Sequence, residues 1–273
     1  MKIIYFLMGI LVLVSCMEGP TKNNITWGKV VGSKENSATQ IELFAEQFKW
    51  TVRYSGNDNT LGEFDYKLTT EINPLAIMTT EAIEASLFEI EYGENGINEL
   101  QEKQDSFEYK QFPKDHDDIN GELNRKERLQ RLLKQMKKRH DDKIDVAALD
   151  DFILTDTLVL CIDQEYEFNF RSKDVIHSAY FPHFRAQMNT VPGMITRFKY
   201  TPAITTEEMR RKESDAHFEY MLMCNKICGT GHYSMKMIVR VLEKEEYDSW
   251  VLSKSANSFE KTVDTMKHQK STR

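Results

Sequence analysis

Four side chains with soft or borderline donor atoms lie close together near the end of the chain. Cys224, Cys228, His232 and Met235 are separated by four, four and three positions. Thiolate, imidazole and thioether groups are ligands that suit copper ions. The segment from Cys224 to Met235 therefore predicts a copper site.

The same spacing leaves three other interpretations open. The four side chains could form one buried face of an α-helix, although Gly229 and Gly231 would each cost about 1 kcal/mol in a helix interior. Cys224 and Cys228 could form a disulfide in an oxidising compartment, which would leave the imidazole and the thioether unexplained. A structural zinc ion is disfavoured, because zinc seldom binds thioether sulfur and no fourth nitrogen, oxygen or thiolate donor is local.

The elements that must position this loop have the pattern of β-strands. A first strand is predicted over 40–54, with a bulge where the alternation slips near Gln47. An amphipathic helix is predicted over 122–143, with an apolar stripe at Leu129, Leu132, Leu133 and Met136. A terminal helix is predicted over 243–253. Short strands are predicted over 157–162, 166–170, 175–184, 194–201, 217–223 and 235–243, which indicates a β-sandwich or barrel.

The charge and the first residues limit the location and the partners. The net charge of −7 argues against a nucleic-acid partner on electrostatic grounds. Met1-Lys2 precedes an apolar run over 3–14, which is too short for a comfortable membrane span. The ending Leu-Val-Ser-Cys16 is similar to a bacterial lipobox, so we expect cleavage before Cys16 and lipid attachment to its thiol. An uncleaved short anchor is the alternative, and either would keep the protein outside the cytoplasm at a membrane surface.

A second histidine completes the candidate ligand set. His177, in Asp174-Val-Ile-His-Ser178, begins a predicted strand about fifty residues before the cysteine loop. A loop alone would not impose a fixed geometry on a metal ion, so a ligand from another strand is needed. One early histidine together with a Cys/His/Met loop between two late strands is how cupredoxin sandwiches hold copper.

These motifs, with Val191-Pro-Gly193 and Gln47-Phe-Lys-Trp50, resemble the dinuclear copper (CuA) domain of subunit II of bacterial cytochrome c oxidases. The resemblance implies a mainly β, cupredoxin-like Greek-key sandwich or barrel with an α-helical, charged insertion and a C-terminal helix. It also implies two copper ions bridged by both thiolates. The implied ligands are Cys224, Cys228, His177, His232, Met235 as a weak axial ligand, and the backbone carbonyl of Lys226.

Three departures from the family pattern qualify the resemblance. Lys226 replaces the usual Glu, which keeps the carbonyl but loses a carboxylate contact to magnesium at the border with subunit I. Phe48 stands where the family has a Trp that receives electrons, and Trp50 is the second aromatic residue. The two-helix membrane hairpin that normally precedes the domain has no counterpart in the sequence.

The function implied by the resemblance is electron transfer within a terminal oxidase, with no catalytic residue in this chain. Electrons would come from a c-type cytochrome and pass to haem in subunit I, on the periplasmic side of the bacterial inner membrane. The alternative is a lipid-anchored copper-binding module or a standalone CuA carrier outside an oxidase. The predicted division is a signal segment over 1–16, a linker over 17–39, the copper domain over 40–255 with an insertion at about 76–154, and a polar tail over 256–273.

Overall fold

The computed structural model describes residues 38–106, 116–255 and 258–271. The predicted signal segment, Cys16 and the linker up to position 37 lie outside these residues.

Two five-stranded sheets form the centre of the molecule. The first consists of β1 (Thr39–Glu46), β2 (Lys49–Tyr54), β3 (Phe152–Leu154), β5 (Tyr166–Ser172) and β8 (Thr196–Tyr200), in the order β3-β2-β1-β5-β8. The second consists of β4 (Thr157–Cys161), β6 (His177–Phe181), β7 (Ala186–Thr190), β9 (Tyr220–Cys224) and β10 (Lys236–Leu242), in the order β4-β10-β9-β6-β7.

Both sheets are mixed. β1 runs parallel to β5 and β4 runs parallel to β10, whereas the other neighbouring strands are antiparallel. Alternate side chains of each strand point into one shared core, and burying each large apolar side chain stabilises the fold by about 1.5–3 kcal/mol. That core includes Ile41, Leu43, Val52, Phe168, Phe170, Leu158, Leu160, Phe181, Leu222, Val239 and Val241. The predicted sandwich of sheets with helical additions is confirmed.

The predicted first strand with a bulge is instead a β-hairpin. β1 and β2 pair antiparallel from Ile41 with Tyr54 to Glu46 with Lys49, so only Gln47 and Phe48 form the turn. The alternation of apolar residues slips at Gln47 because the chain reverses there. A bulge and a tight turn both interrupt the period of two, and the sequence pattern alone does not separate them.

Among the described residues, seven α-helices lie outside the sheets. None of them, within the described ranges, combines the length and the apolar character that a membrane span requires. They are α1 (Thr80–Tyr92), α2 (Ile97–Asp105), α3 (His116–Arg139), α4 (Val146–Leu149), α5 (Thr206–Glu213), α6 (Lys244–Ser255) and α7 (Phe259–Ser271).

The helix α3 corresponds to the predicted amphipathic helix, with one difference in its buried face. Leu133 is fully buried, and Leu129 and Met136 pack beside it against Leu68 and Ile83. Leu132, which was predicted to belong to the apolar stripe, is 36% exposed. The buried face is therefore narrower than the sequence suggests.

The segment predicted as a polar tail forms the helix α7. Phe259, Val263 and Met266 are spaced by four and three positions, so they share one helical face, and all three are buried. They pack on Phe44 and Leu75, on the outer side of the first sheet. The polar residues that dominate this segment occupy the remaining faces of the helix.

Four of the charged side chains that are buried on that outer side lie together and are called here the buried charge cluster: Glu42, Arg53, Asp151 and Arg171. Arg53 Nε lies 2.7 Å from Glu42 Oε2 as an ion pair without the alignment of a hydrogen bond, and Arg53 Nη1 lies 3.1 Å from Asp151 Oδ2. Arg171 also pairs with Glu42, donates to the carbonyl of Leu75 at 2.9 Å, and stacks 3.5 Å from the centre of the Phe64 ring.

Candidate metal centre

The register of the second sheet brings the two halves of the candidate site together. β6 begins at His177 and pairs with β9, so that Ala179 lies opposite Cys224, the last residue of β9. The amide of Asn225 then donates to the carbonyl of Ser178 at 3.0 Å. His177, forty-seven positions earlier in the chain, therefore lies against the first residue of the cysteine loop.

The predicted side-chain ligands form one continuous group of contacts. His177 Nδ1 lies 3.9 Å from Cys224 Sγ, and the two Sγ atoms of Cys224 and Cys228 are 3.8 Å apart. Cys228 Sγ is also 3.6 Å from His232 Nδ1 and 3.9 Å from Met235 Sδ. Donor atoms of His177, Cys224 and Cys228 all lie within 4.8 Å of one another, which is close enough to share a metal ion.

The backbone of Lys226 faces the candidate site. Its carbonyl oxygen lies 3.2 Å from Cys224 Sγ, whereas its side chain is exposed. The position therefore faces the site through its backbone, and the identity of its side chain has no direct part in the cluster.

The loop is not a helix, contrary to one of the alternatives left open by the spacing. A single turn of 3-10 helix over His232–Ser234 is the only helical segment between β9 and β10. The amides of Cys224, Met235 and Ser234 donate to the carbonyls of Met235, His232 and Gly231 at 3.0, 3.2 and 3.0 Å. These bonds close the loop upon itself and fix the directions of its side chains. Both thiols are free.

Two glycines allow the loop to lie directly on the β1–β2 hairpin. Gly229 has φ +139, where residues with a side chain are strained, and a Cβ there would lie 2.9 Å from the Phe48 ring. A Cβ at Gly231 would lie 2.5 Å from the same ring. Gln47 Nε2 donates to the carbonyl of Cys228. The hairpin turn thus contacts the loop through both of its residues.

Asp174 holds His177 in position, a role that the sequence reasoning did not assign. One carboxylate oxygen accepts from His177 Nε2 at 2.8 Å and from the amide of Val175 at 2.6 Å, and the other accepts from the amide of Gln47 at 2.7 Å. Burial alone would raise the pKa of Asp174, but the hydrogen bonds, first that from His177, lower it. When Nε2 donates to Asp174, the lone pair of Nδ1 points toward the thiols. Metal-binding histidines usually donate their other ring nitrogen to a carboxylate or a carbonyl in this way.

The spacing of Asp174 and His177 was the available signal for this pair. An acidic residue three positions before a candidate histidine ligand can reach the far ring nitrogen when the chain turns between them. The contribution of Gln47 could not have been found in this way, because it depends on the contact between the hairpin turn and the loop.

The surroundings of the two cysteines suit the binding of a soft cation. Burial, and then the neighbouring Cys224, raise the pKa of Cys228 to about 11. Without a cation the thiol is therefore protonated at neutral pH, and a bound metal ion would replace the proton. Two adjacent thiols with imidazole and thioether donors fit copper better than zinc, which rarely uses a thioether.

The two predicted electron-accepting aromatic residues occupy different environments. Phe48 is half-buried against the loop glycines, whereas Trp50 is 1% exposed. The Trp50 ring lies edge-on to the His177 ring with centres 6.2 Å apart. Phe48 lies closer to the surface and Trp50 lies within the core beside a candidate ligand.

Apolar side chains surround the loop at the surface. Ile227 and Tyr233, within the loop, are 85% and 88% exposed, and Val175 and Ile176 before His177 are also exposed. Such a group of exposed apolar residues beside a candidate site is typical of a surface that contacts another protein.

Known proteins with similar sequences are subunits of oxidases. No protein-family model matches the chain. The alternative cytochrome c oxidase subunit 2 of Bradyrhizobium diazoefficiens is 24% identical over 215 residues, which are 78% of this chain and 50% of that protein. The cytochrome c oxidase subunit 2 of Thermostichus vulcanus is 28% identical over 123 residues, which are 41% of this chain and 33% of that protein. The predicted resemblance to subunit II is confirmed, and the chain spans half or less of these relatives.

Similarity to solved structures extends over most of the chain. The periplasmic domain of subunit II of the cytochrome oxidase of Bradyrhizobium japonicum matches with a TM-score of 0.39 and 15% identity, over 81% of this chain and 96% of that domain. A score of this size adds no weight to the fold, which rests on the two sheets described above.

Proposed function

We propose that this protein is the electron-transfer subunit of a terminal cytochrome c oxidase and holds two copper ions at the loop between β9 and β10. The observation that carries the proposal is the convergence of five donor side chains from two distant segments. Their contacts of 3.6–3.9 Å form one chain from His177 to Met235. The similarity to oxidase subunits supports the same role.

Each donor has a proposed place in this site. Cys224 and Cys228 lie at the centre of the contact chain, so their thiolates would be shared by both ions. His177 and His232 lie at opposite ends of the thiol pair, so each would bind one ion. Met235 and the carbonyl of Lys226 would complete the set. When bound, a dinuclear copper centre supplies a one-electron carrier whose unpaired electron is shared by two ions.

The surrounding residues would keep this donor set rigid. Asp174 fixes the His177 ring, Gln47 fixes the Cys228 carbonyl, and Phe48 fills the space above Gly229 and Gly231. Ligands held in this way move little when the charge of the centre changes. A small rearrangement favours rapid electron transfer, because less energy is needed to reorganise the site.

The exposed apolar residues around the loop are the proposed contact surface for the redox partners. Ile227 and Tyr233 project from the loop itself, directly outside the candidate ligands. We infer a c-type cytochrome as donor and haem in oxidase subunit I as acceptor. Phe48, half-buried at the loop, is the proposed first aromatic residue on the electron path, with Trp50 behind it.

The location and the division of the chain belong to the same proposal. Lipid attachment at Cys16 would anchor the protein on the periplasmic side of the inner membrane. The copper domain would cover 40–255, with the insertion at about 76–154 carrying α1 to α4. With Lys226 in place of the family's Glu, the proposed site includes no magnesium contact at that position.

The first test is spectroscopic. The copper-loaded protein should be purple, with a mixed-valence signal whose hyperfine splitting shows one electron shared by two copper ions. Lys226→Glu is the matched control: it should leave the signal largely intact, because only the backbone carbonyl faces the site. A colourless product, or a signal from a single copper ion, would overturn the dinuclear assignment.

A second test concerns the complex. Affinity purification of the full chain from membranes should recover a haem-containing subunit I. Recovery of a purple protein without any haem subunit would favour the alternative of a standalone carrier and contradict the oxidase assignment.

A further inference from the structure

The helix α3 carries a row of basic side chains that the proposed copper chemistry does not use. Between Arg125 and Arg139 the sequence has eight basic residues and one acidic residue, Glu127. The whole chain has a net charge of −7, so this segment is opposite in sign to the rest of the molecule. Such a local concentration of positive charge must either face water or contact an anionic partner.

The structure places part of this charge on one outward face. We define the basic stripe as Arg128, Arg131, Lys134, Lys138 and Arg139, all of which are exposed. Arg128, Arg131, Lys134 and Lys138 are spaced by three, three and four positions, which keeps them on one helical face, and Arg139 lies at the edge of that face. The stripe extends along the helix for about 16 Å from Arg128 to Arg139.

The opposite face of α3 packs against the rest of the protein, so the stripe cannot face the interior. Leu133 is fully buried, and Leu129 and Met136 lie with it against Leu68 and Ile83. Nearer its start the helix packs through Leu123 on Ile97 and Leu100 of α2. The stripe is consequently held toward the outside by the core of the helical region.

The stripe is hardly neutralised by the protein itself. Arg131 lies 4.0 Å from Glu127, the limit of an ion pair, and the two side chains are 65% and 38% exposed. In the described part of the chain, Arg128, Lys134, Lys138 and Arg139 form no ion pair. Lys137, just off the stripe, does pair, with Glu84 of α1 at 2.8 Å. Lys137 is therefore matched by an acid, whereas four of the five bases of the stripe are not.

We propose that the basic stripe is a contact surface for anionic phospholipid headgroups. Its five bases share one exposed face over about three turns of a rigid helix, which suits a flat surface of repeated phosphates better than a curved protein with a few acidic groups. Leu132, exposed within the stripe, supplies only one apolar side chain, so the contact is electrostatic at the headgroup level rather than an insertion into the bilayer. Lipid attachment at Cys16 would hold α3 near such a surface, but the chemistry of the stripe does not depend on it or on copper.

The test compares vesicles of two compositions with the full chain. Vesicles of phosphatidylcholine alone measure whatever binding the N-terminal segment provides. Vesicles that also contain phosphatidylglycerol add the anionic charge. The wild-type chain should partition more strongly onto the anionic vesicles, even though its net charge is negative, and high salt should remove that preference.

Two matched triple variants locate the effect. Arg128→Gln with Lys134→Gln and Lys138→Gln should reduce partitioning onto anionic vesicles by roughly 100-fold, because each base near an anionic surface is worth roughly fivefold. The control is Arg211→Gln with Lys212→Gln and Lys254→Gln, on α5 and α6, which changes the net charge equally. It should keep the wild-type preference. Circular dichroism and the copper spectrum should be unchanged in both variants.

Three results would overturn the proposal. Equal partitioning of the wild-type chain onto both vesicle types would show that the stripe does not recognise anionic lipid. Equal losses in the stripe variant and the control variant would show an effect of net charge alone. Stripe-dependent retention on immobilised polyglutamate, without a preference for anionic vesicles, would assign the stripe to an acidic protein instead.

Discussion

The metal centre and the buried charge cluster both place polar groups inside the molecule, but they satisfy them in different ways. In the charge cluster, two guanidinium groups and two carboxyl groups lie against one another. Burial alone would raise the pKa of Glu42, but Arg53 and Arg171 lower it. At the candidate metal centre, the side-chain donor atoms have only weak contacts of 3.6–3.9 Å with one another.

The difference separates a structural cluster from a candidate binding site. Carboxyl groups that already lie against guanidinium groups inside the fold gain little from an added cation. Lone pairs that point at one another across a van der Waals distance gain from a cation placed between them. The comparison predicts that mutations in the buried charge cluster lower stability but hardly change metal binding. Mutations at the candidate metal centre should change metal binding but hardly change stability.

The largest effect is expected at the shared thiolate. Cys228→Ser should abolish the dinuclear copper signal, because a hydroxyl cannot replace a bridging thiolate, and should change the stability of the metal-free protein little. Cys161→Ser is the matched control, since this cysteine is buried in β4 away from the cluster. Optical and paramagnetic resonance spectra measure the outcome, and a dinuclear signal that survives in Cys228→Ser would refute the proposed role of the bridge.

The next effect is expected in the charge cluster. Arg53→Met leaves Glu42 and Asp151 buried without their shared partner, which should lower the free energy of unfolding by about 3–5 kcal/mol. Lys49→Met, which removes an exposed base paired with Glu46 at 2.7 Å, should cost less than about 1 kcal/mol. Urea unfolding measures both. If Arg53→Met altered the copper spectrum of the folded protein, the two clusters would not be independent of each other.

A smaller effect is expected at the residue that positions His177. Asp174→Asn removes the charge behind Nε2, so copper affinity should fall by roughly 10–100-fold while the dinuclear signal is retained at saturation. Competition with a chelator gives the affinity. Asp248→Asn, at an exposed pair with Lys244, should leave it unchanged. An unchanged affinity in Asp174→Asn would show that backbone contacts alone orient the histidine.

The two clusters should also respond to pH in opposite directions. Copper displaces the proton of Cys228, whose pKa is about 11, so copper affinity should rise roughly tenfold per pH unit for each displaced proton near neutral pH. Burial raises the pKa of Asp151 to about 8, so the folded state keeps a proton that the unfolded state, with a pKa of about 3.9, has lost. That contribution to stability is present below pH 4 and is lost as the pH rises toward 8.

Asp151→Asn isolates the second half of this prediction. It should flatten the decline in the unfolding free energy of the metal-free protein between about pH 4 and about pH 8, without altering the pH dependence of copper affinity. Identical stability slopes in the wild-type protein and the variant would show that Asp151 is ionised throughout this range.

The sequence by itself determined the class of the fold and indicated the candidate donor set. Cysteine, histidine and methionine carry their chemistry with them, so their spacing predicts a soft metal site wherever the loop lies. The short alternating segments required sheets, and most strand positions followed from that alternation. The apolar face of α3 was also visible, apart from the exposed Leu132.

Only the tertiary structure decided which groups meet across the chain. Gln47 reaches the Cys228 carbonyl because a hairpin turn, and not a bulge, lies against the cysteine loop. The polar tail becomes α7 because Phe259 and its neighbours find an apolar surface beside the first sheet. Glu42 and Arg53 pair across strands that the sequence pattern treated as one. Periodicity records which face of an element is apolar, whereas the partner of that face is fixed only when distant segments pack together.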